Sequence, residues 1–128
     1  MKKTPADKLR DAVISYKKQC QSILKLSDHI RYAGVINAYG RTLTGIIKPN
    51  VKPLLKSEEI KNEFFIVSTL ISLRHASESE LGKLDYVMLK HSKAHIAILH
   101  KNNLTFYVSI NPKEKNSEQL VSKIKKII

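Results

Sequence analysis

The sequence has one cysteine, no tryptophan, four glycines and only 11 acidic residues against 23 lysines and arginines in 128 positions. Each scarcity excludes something. Cys20 has no partner for an internal disulfide, so the chain is not a disulfide-stapled scaffold, and a lone thiol suits a reducing compartment. Long apolar runs are also missing. FFIVSTLISL, residues 64–73, is about half of what a membrane-spanning helix needs. MKKTPADK opens with charge but has no apolar stretch behind it, so it is not expected to act as a secretory signal. These features lead us to expect a soluble, cytoplasmic protein. Its length suits a single domain over residues 1–128, large enough to bury a core without metal or disulfides.

The shortage of acids leaves a net charge of +12, unevenly placed. Residues 29–57 contain no acid but carry Arg31, Arg41, Lys48, Lys52 and Lys56, and residues 86–113 contain none but carry Lys90, Lys93, Lys101 and Lys113. Arg31, Arg41, Lys48, Lys52, Lys90, Lys93 and Lys101 are therefore the candidate polyanion-binding residues, with nucleic acid as the corresponding partner. Lysine outnumbers arginine 19 to 4, and arginine is the better reader of phosphate and bases. That balance favours lysines that confer solubility over a dedicated nucleic-acid surface.

What is present reads as alternating helices and strands. Thr4-Pro5-Ala6-Asp7 has the chemistry of a helix start, and Leu9, Val13, Tyr16, Cys20 and Ile23 recur at steps of three and four over residues 5–26. IRYAGVIN and RTLTGIIK read as two strands turning at Tyr39-Gly40, and PNVKP stops the second with two prolines. Ser57-Glu58-Glu59 opens a helix to Ala76, with Ser57 as its cap. Its residues Phe64, Phe65, Ile66, Leu70 and Leu73 spread the apolar surface beyond one face, which demands cover on two sides. SESELGKL reads as a polar connection. Strands follow at 86–90, 94–100 and 104–110, the last alternating Leu104, Phe106, Val108 and Ile110 with polar residues as a half-buried strand does. Asn116 or Ser117 caps a final helix. The fold class is α+β, in the order α-β-β-α-β-β-β-α.

Three of the four glycines, Gly34, Gly40 and Gly45, lie within HIRYAGVINAYGRTLTG. No G-K-[ST] follows them and no strand-to-helix turn contains them, so neither phosphate loop fits. Gly40 reads as a turn residue, and Gly34 and Gly45 as places where a helix backbone crosses the sheet closely. His91, His95 and His100 lie near one hairpin, but with no cysteine or acid beside them they read as exposed strand residues rather than metal ligands. Cys20 occupies an apolar helical position and reads as a small core residue, not a nucleophile. Glu59 and Glu63, one helical turn apart and near Lys56 and Lys61, read as a solvated face. The expectation is no catalysis, no cofactor and no metal.

The element order, with the hairpin AGVINAYGRTLTG, resembles the roadblock/dynein-light-chain domain, whose relatives include profilin-like and longin-like folds. The stretches IRYAGVIN, GR and VKPL are also similar to a set of small uncharacterised archaeal proteins. The roadblock resemblance implies a five-stranded antiparallel sheet flanked by helices and a non-enzymatic regulatory module. It implies homodimers or heterodimers pairing their central helices and an edge strand, and a small GTPase or other regulatory protein as partner. On this chain the dimerising helix is 57–76, with Phe64, Phe65, Ile66, Leu70 and Leu73 as candidate interface residues. Two other functions remain open: binding of nucleic acid through the basic residues, and a PAS-like sensor enclosing a small ligand between sheet and first hairpin.

Overall fold

The computed structural model describes residues 2–128. The elements follow as α1 (Pro5–Leu24), β1 (Ile30–Ile36), β2 (Thr42–Ile47), α2 (Ser57–His75), α3 (Glu78–Leu81), β3 (Val87–Lys90), β4 (His95–Lys101), β5 (Leu104–Ile110) and α4 (Ser117–Ile127). The strands form one antiparallel sheet in the order β2-β1-β5-β4-β3. This is the expected α+β architecture, with one added element. SESELGKL is not wholly irregular, because Glu78–Leu81 closes a single helical turn. One turn is too short for an apolar period to reveal.

The helix starts follow local chemistry. At α1, Asp7 N–H donates to Thr4 Oγ1 at 3.1 Å while Thr4 N–H donates to Asp7 Oδ2 at 3.2 Å, a reciprocal cap with Pro5 just inside. At α2 the cap falls one residue earlier than Ser57. Lys56 is the capping position, and its N–H donates to Glu59 Oε1 at 3.0 Å. Glu59 therefore closes a helix end and is not merely a solvated charge.

The sheet divides the interior into two layers. On one face α1 and α4 cover Ala33, Val35, Phe106, Val108 and Leu99, with Cys20, Ile23, Leu120 and Ile124 descending from the helices. On the opposite face lies α2, whose Phe64, Val67 and Ile71 pack on Ile36, Ile96, Ile98 and Tyr107. Both faces of the central strand β5 are thus covered. Thr105 and Tyr107, on the polar side of its alternation, are 3% and 6% exposed. The strand expected to be half-buried is buried on both faces from Thr105 to Val108, while Ser109 stays half-buried, because period-two patterning cannot register a second helical layer on the polar side. Leu9, near the start of the α1 stripe, is exposed, since burial along α1 begins only with its second half.

Candidate functional site

Two apolar surfaces lie open on the α2 side of the sheet. The first is the outer face of α2. Phe64 was expected there with its neighbours, but it turns inward and is 4% exposed, its ring meeting Tyr107 edge to face at 4.9 Å. Phe64 thus belongs to the core and not to an outer interface. A helix turns about 100° per residue, so the adjacent Phe65 points away from the sheet when Phe64 points at it. Phe65, Ile66 and Leu73 are 62%, 61% and 60% exposed, with Leu70 half-buried at the margin. The β1–β2 turn abuts this face. Gly40, at φ +82°, lies so close to α2 that a Cβ there would fall 2.9 Å from Phe65 Cα. Close helix passage thus occurs at the turn glycine, while Tyr39 beside it stays open to solvent.

The second surface is an apolar groove of about 450 Å³ between the β2–α2 loop, the start of α2 and the β3–β4 turn. Its floor is an aromatic group: Tyr32 stacks near Phe64 at 6.4 Å and meets Tyr107 edge-on at 6.2 Å. Gly34 and Gly45 are paired across β1 and β2, and the Tyr32 ring lies over both. A Cβ at Gly34 or Gly45 would fall 2.3 or 2.2 Å from Tyr32 Oη. These glycines therefore accommodate a side chain from their own sheet, correcting the expectation of a crossing helix. Burial pushes the Tyr32 hydroxyl up to about 12. Tyr107 is held higher still, first by burial and then by donating to Glu63 Oε2 at 2.8 Å. Glu63 is consequently half-buried and engaged, not part of a solvated pair.

No family model and no curated protein matches the sequence. Solved structures do. A Roadblock/LC7 domain from Streptomyces avermitilis superposes with a TM-score of 0.66 at 11% identity, covering 86% of this chain and 88% of that one. MglB from Myxococcus xanthus gives 0.68 at 7% identity over 99% and 89%, and MglB in a tetrameric arrangement gives 0.65 at 11% over 88% and 89%. The fold is roadblock-like.

On this roadblock-like sheet the antiparallel register sorts the basic residues. Arg31, Lys48, Lys52, Lys90 and Lys93 lie at the end where β1 and β4 begin and β2, β3 and β5 finish. Arg41 and Lys101 lie at the opposite end, in the β1–β2 turn and at the β4–β5 turn. The seven candidates thus form a group of five and a distant pair, not one track. Several are internally engaged: Lys48 Nζ donates to Ser27 O at 3.0 Å, Arg31 Nη2 to Lys52 O at 2.8 Å, and Lys101 Nζ to Ile128 O at 3.0 Å.

The histidines of the β3–β4–β5 region each have their own surroundings. His100 Nε2 contacts Leu84 O at 2.8 Å and its ring meets that of His75 at 4.8 Å, while His95 Nδ1 lies 3.4 Å from Ser117 Oγ. His95 and His100 are half-buried, not exposed as expected. Among the described residues no three metal-ligating side chains converge. Cys20 is fully buried against the sheet, which pushes its thiol up to about 11 and disfavours the thiolate a nucleophile needs. Among the described residues no helix is long and apolar enough to cross a membrane. The groove had no signal in the sequence beyond the paired glycines and the two prolines of the loop.

Proposed function

We propose that this chain is a non-catalytic interaction module of the roadblock type, pairing with a second copy of itself through the outer face of α2. The supporting observation is the exposure of Phe65, Ile66 and Leu73 on a helix whose other face packs on the sheet. Fully burying such a side chain contributes about 1.5–3 kcal/mol, and a two-fold interface repeats each contribution. The edge strand β3 lies on the same sheet and offers unpaired backbone groups to the pairing. The tetrameric arrangement of an MglB structure supports self-association as a use of this fold. A small GTPase or another regulatory protein is the partner class the paired module would serve.

The absence of catalysis in this reading is supported by the structural work of the reactive groups. Cys20 fills the core, Glu59 closes α2 and Glu63 receives the Tyr107 hydroxyl. The test is the solution mass of the full chain and of Ile66→Asp at micromolar concentration by light scattering. The chain should run as a dimer, and Ile66→Asp as a folded monomer. A monomer in both cases would overturn the reading, as would a dimer indifferent to Ile66→Asp.

A further inference from the structure

We propose that the groove between the β2–α2 loop and the β3–β4 turn binds a soluble amphipathic anion, an alkyl or aryl body carrying one carboxylate or phosphate head. This goes beyond the pairing through α2 and does not rest on it, because the groove opens on a different part of the surface. Its volume, about 450 Å³, lies in the range of small-molecule sites, roughly 300–1,000 Å³.

Three observations give the ligand its chemistry. First, the interior is apolar. Tyr32, Ile47, Ile60, Phe64, Ile96 and Tyr107 supply most of the floor and walls, which suits a hydrocarbon or ring body. Second, the mouth is cationic. Arg31, Lys52 and Lys93 line it from opposite sides, from β1 and its neighbouring loop and from the β3–β4 turn, with the His91 imidazole beside them. Lys52, Lys93 and His91 are exposed, so a charged head can reach them while remaining partly hydrated. The single acid of the lining, Glu63, is held by the Tyr107 hydroxyl and sets one negative charge against those of Arg31, Lys52 and Lys93, so the cations are in excess. Third, the cavity is held open. If Gly34 and Gly45 carried side chains, the ring of Tyr32 could not lie flat on the sheet and would rise into the groove. Pro49 and Pro53 stiffen the covering loop, and the Arg31 bond to Lys52 O fastens it to β1. A pre-formed apolar trough with cations at its rim fits an amphipathic anion, and it disfavours amphipathic cations and neutral sugars.

The test uses the full chain and dodecanoate, below its micellar concentration, followed by calorimetry and by methyl NMR shifts. Dodecyl phosphate, dodecyltrimethylammonium and dodecyl maltoside serve as comparison probes. Saturable binding of the two anions is expected, with shifts concentrated at Ile47, Leu55, Ile60 and Ile96. Lys52→Glu combined with Lys93→Glu, both on the exposed surface, should weaken dodecanoate about ten-fold or more and leave the maltoside unchanged. Ile66→Asp, on the outer face of α2, should leave dodecanoate binding intact, which separates this proposal from the pairing reading. Shifts centred on Ile66 and Leu73 would overturn it, as would equal affinity for the cationic probe. Capture on phosphatidylglycerol vesicles without binding of free dodecanoate would also overturn it, since the site would then be a membrane surface.

Discussion

The hydroxyl of Tyr32 occupies the place where a side chain on Gly45 would begin, 2.2 Å from the position of an ideal Cβ. The two residues lie on neighbouring strands, and neither is free to change alone. Gly45→Ala must push the ring off the sheet or shift the strand. Such over-packing costs about 1–3 kcal/mol, and the urea midpoint should fall accordingly. Gly45→Ala combined with Tyr32→Leu should recover part of the loss, because the clash leaves with the ring. Additive losses in the double variant would contradict this relationship.

Phe64 and Phe65 are adjacent, yet their truncations should separate cleanly. Phe64→Ala removes a buried ring that contacts Tyr107 and should cost about 3–5 kcal/mol. Phe65→Ala removes a mostly exposed ring, so the folding stability of the single chain should change by less than about 0.5 kcal/mol. Its effect should appear instead as a lower mass at dilute concentration. Denaturation and light scattering on the two variants check both halves.

Tyr107→Phe removes the hydroxyl that donates to Glu63 and leaves a half-buried carboxylate without that donor. A loss of about 1–3 kcal/mol is expected. Glu63→Gln keeps an acceptor for the hydroxyl and should cost less. A larger loss from Glu63→Gln than from Tyr107→Phe would show that the carboxylate charge, not the hydrogen bond, matters there.

Alkaline pH should loosen the fold. Burial raises Cys20 from 9.0 to about 11 and Tyr32 from 10.0 to about 12. Below pH 9.0 the folded and unfolded chains hold these protons equally, and the stabilisation is complete. As pH rises from 9.0 towards 12 the unfolded chain gives up protons that the fold retains, so stability declines. Urea midpoints across this range should fall, and Cys20→Ala should flatten the part between 9.0 and 11. A midpoint that holds steady through pH 11 would contradict the burial of the thiol.

The element order and sheet class were legible because their determinants are local. Thr4-Pro5-Ala6-Asp7 announces its helix, Pro49 and Pro53 flank a loop, and Leu104 to Ile110 alternates along a strand. What the sequence concealed depends on the third dimension. Nothing in β5 shows that Thr105 and Tyr107 will be buried, Tyr107 beneath α2. The excess of apolar residues on α2 was visible, but which of Phe64 and Phe65 turns inward depends on the phase of the helix against the sheet. Gly34 and Gly45 signalled a close approach without saying that Tyr32 would fill it. The basic residues looked continuous in sequence, yet the hairpins send Arg41 and Lys101 to the far end of the sheet.

Pairing through α2 is tested most directly by an isotope-filtered NOE experiment on an equal mixture of methyl-labelled and unlabelled chain. The account predicts contacts between copies from the methyl groups of Ile66, Leu70 and Leu73, including contacts to the Phe65 ring of the other copy. No contacts between copies at micromolar concentration would contradict it, as would contacts confined to surfaces that leave α2 exposed.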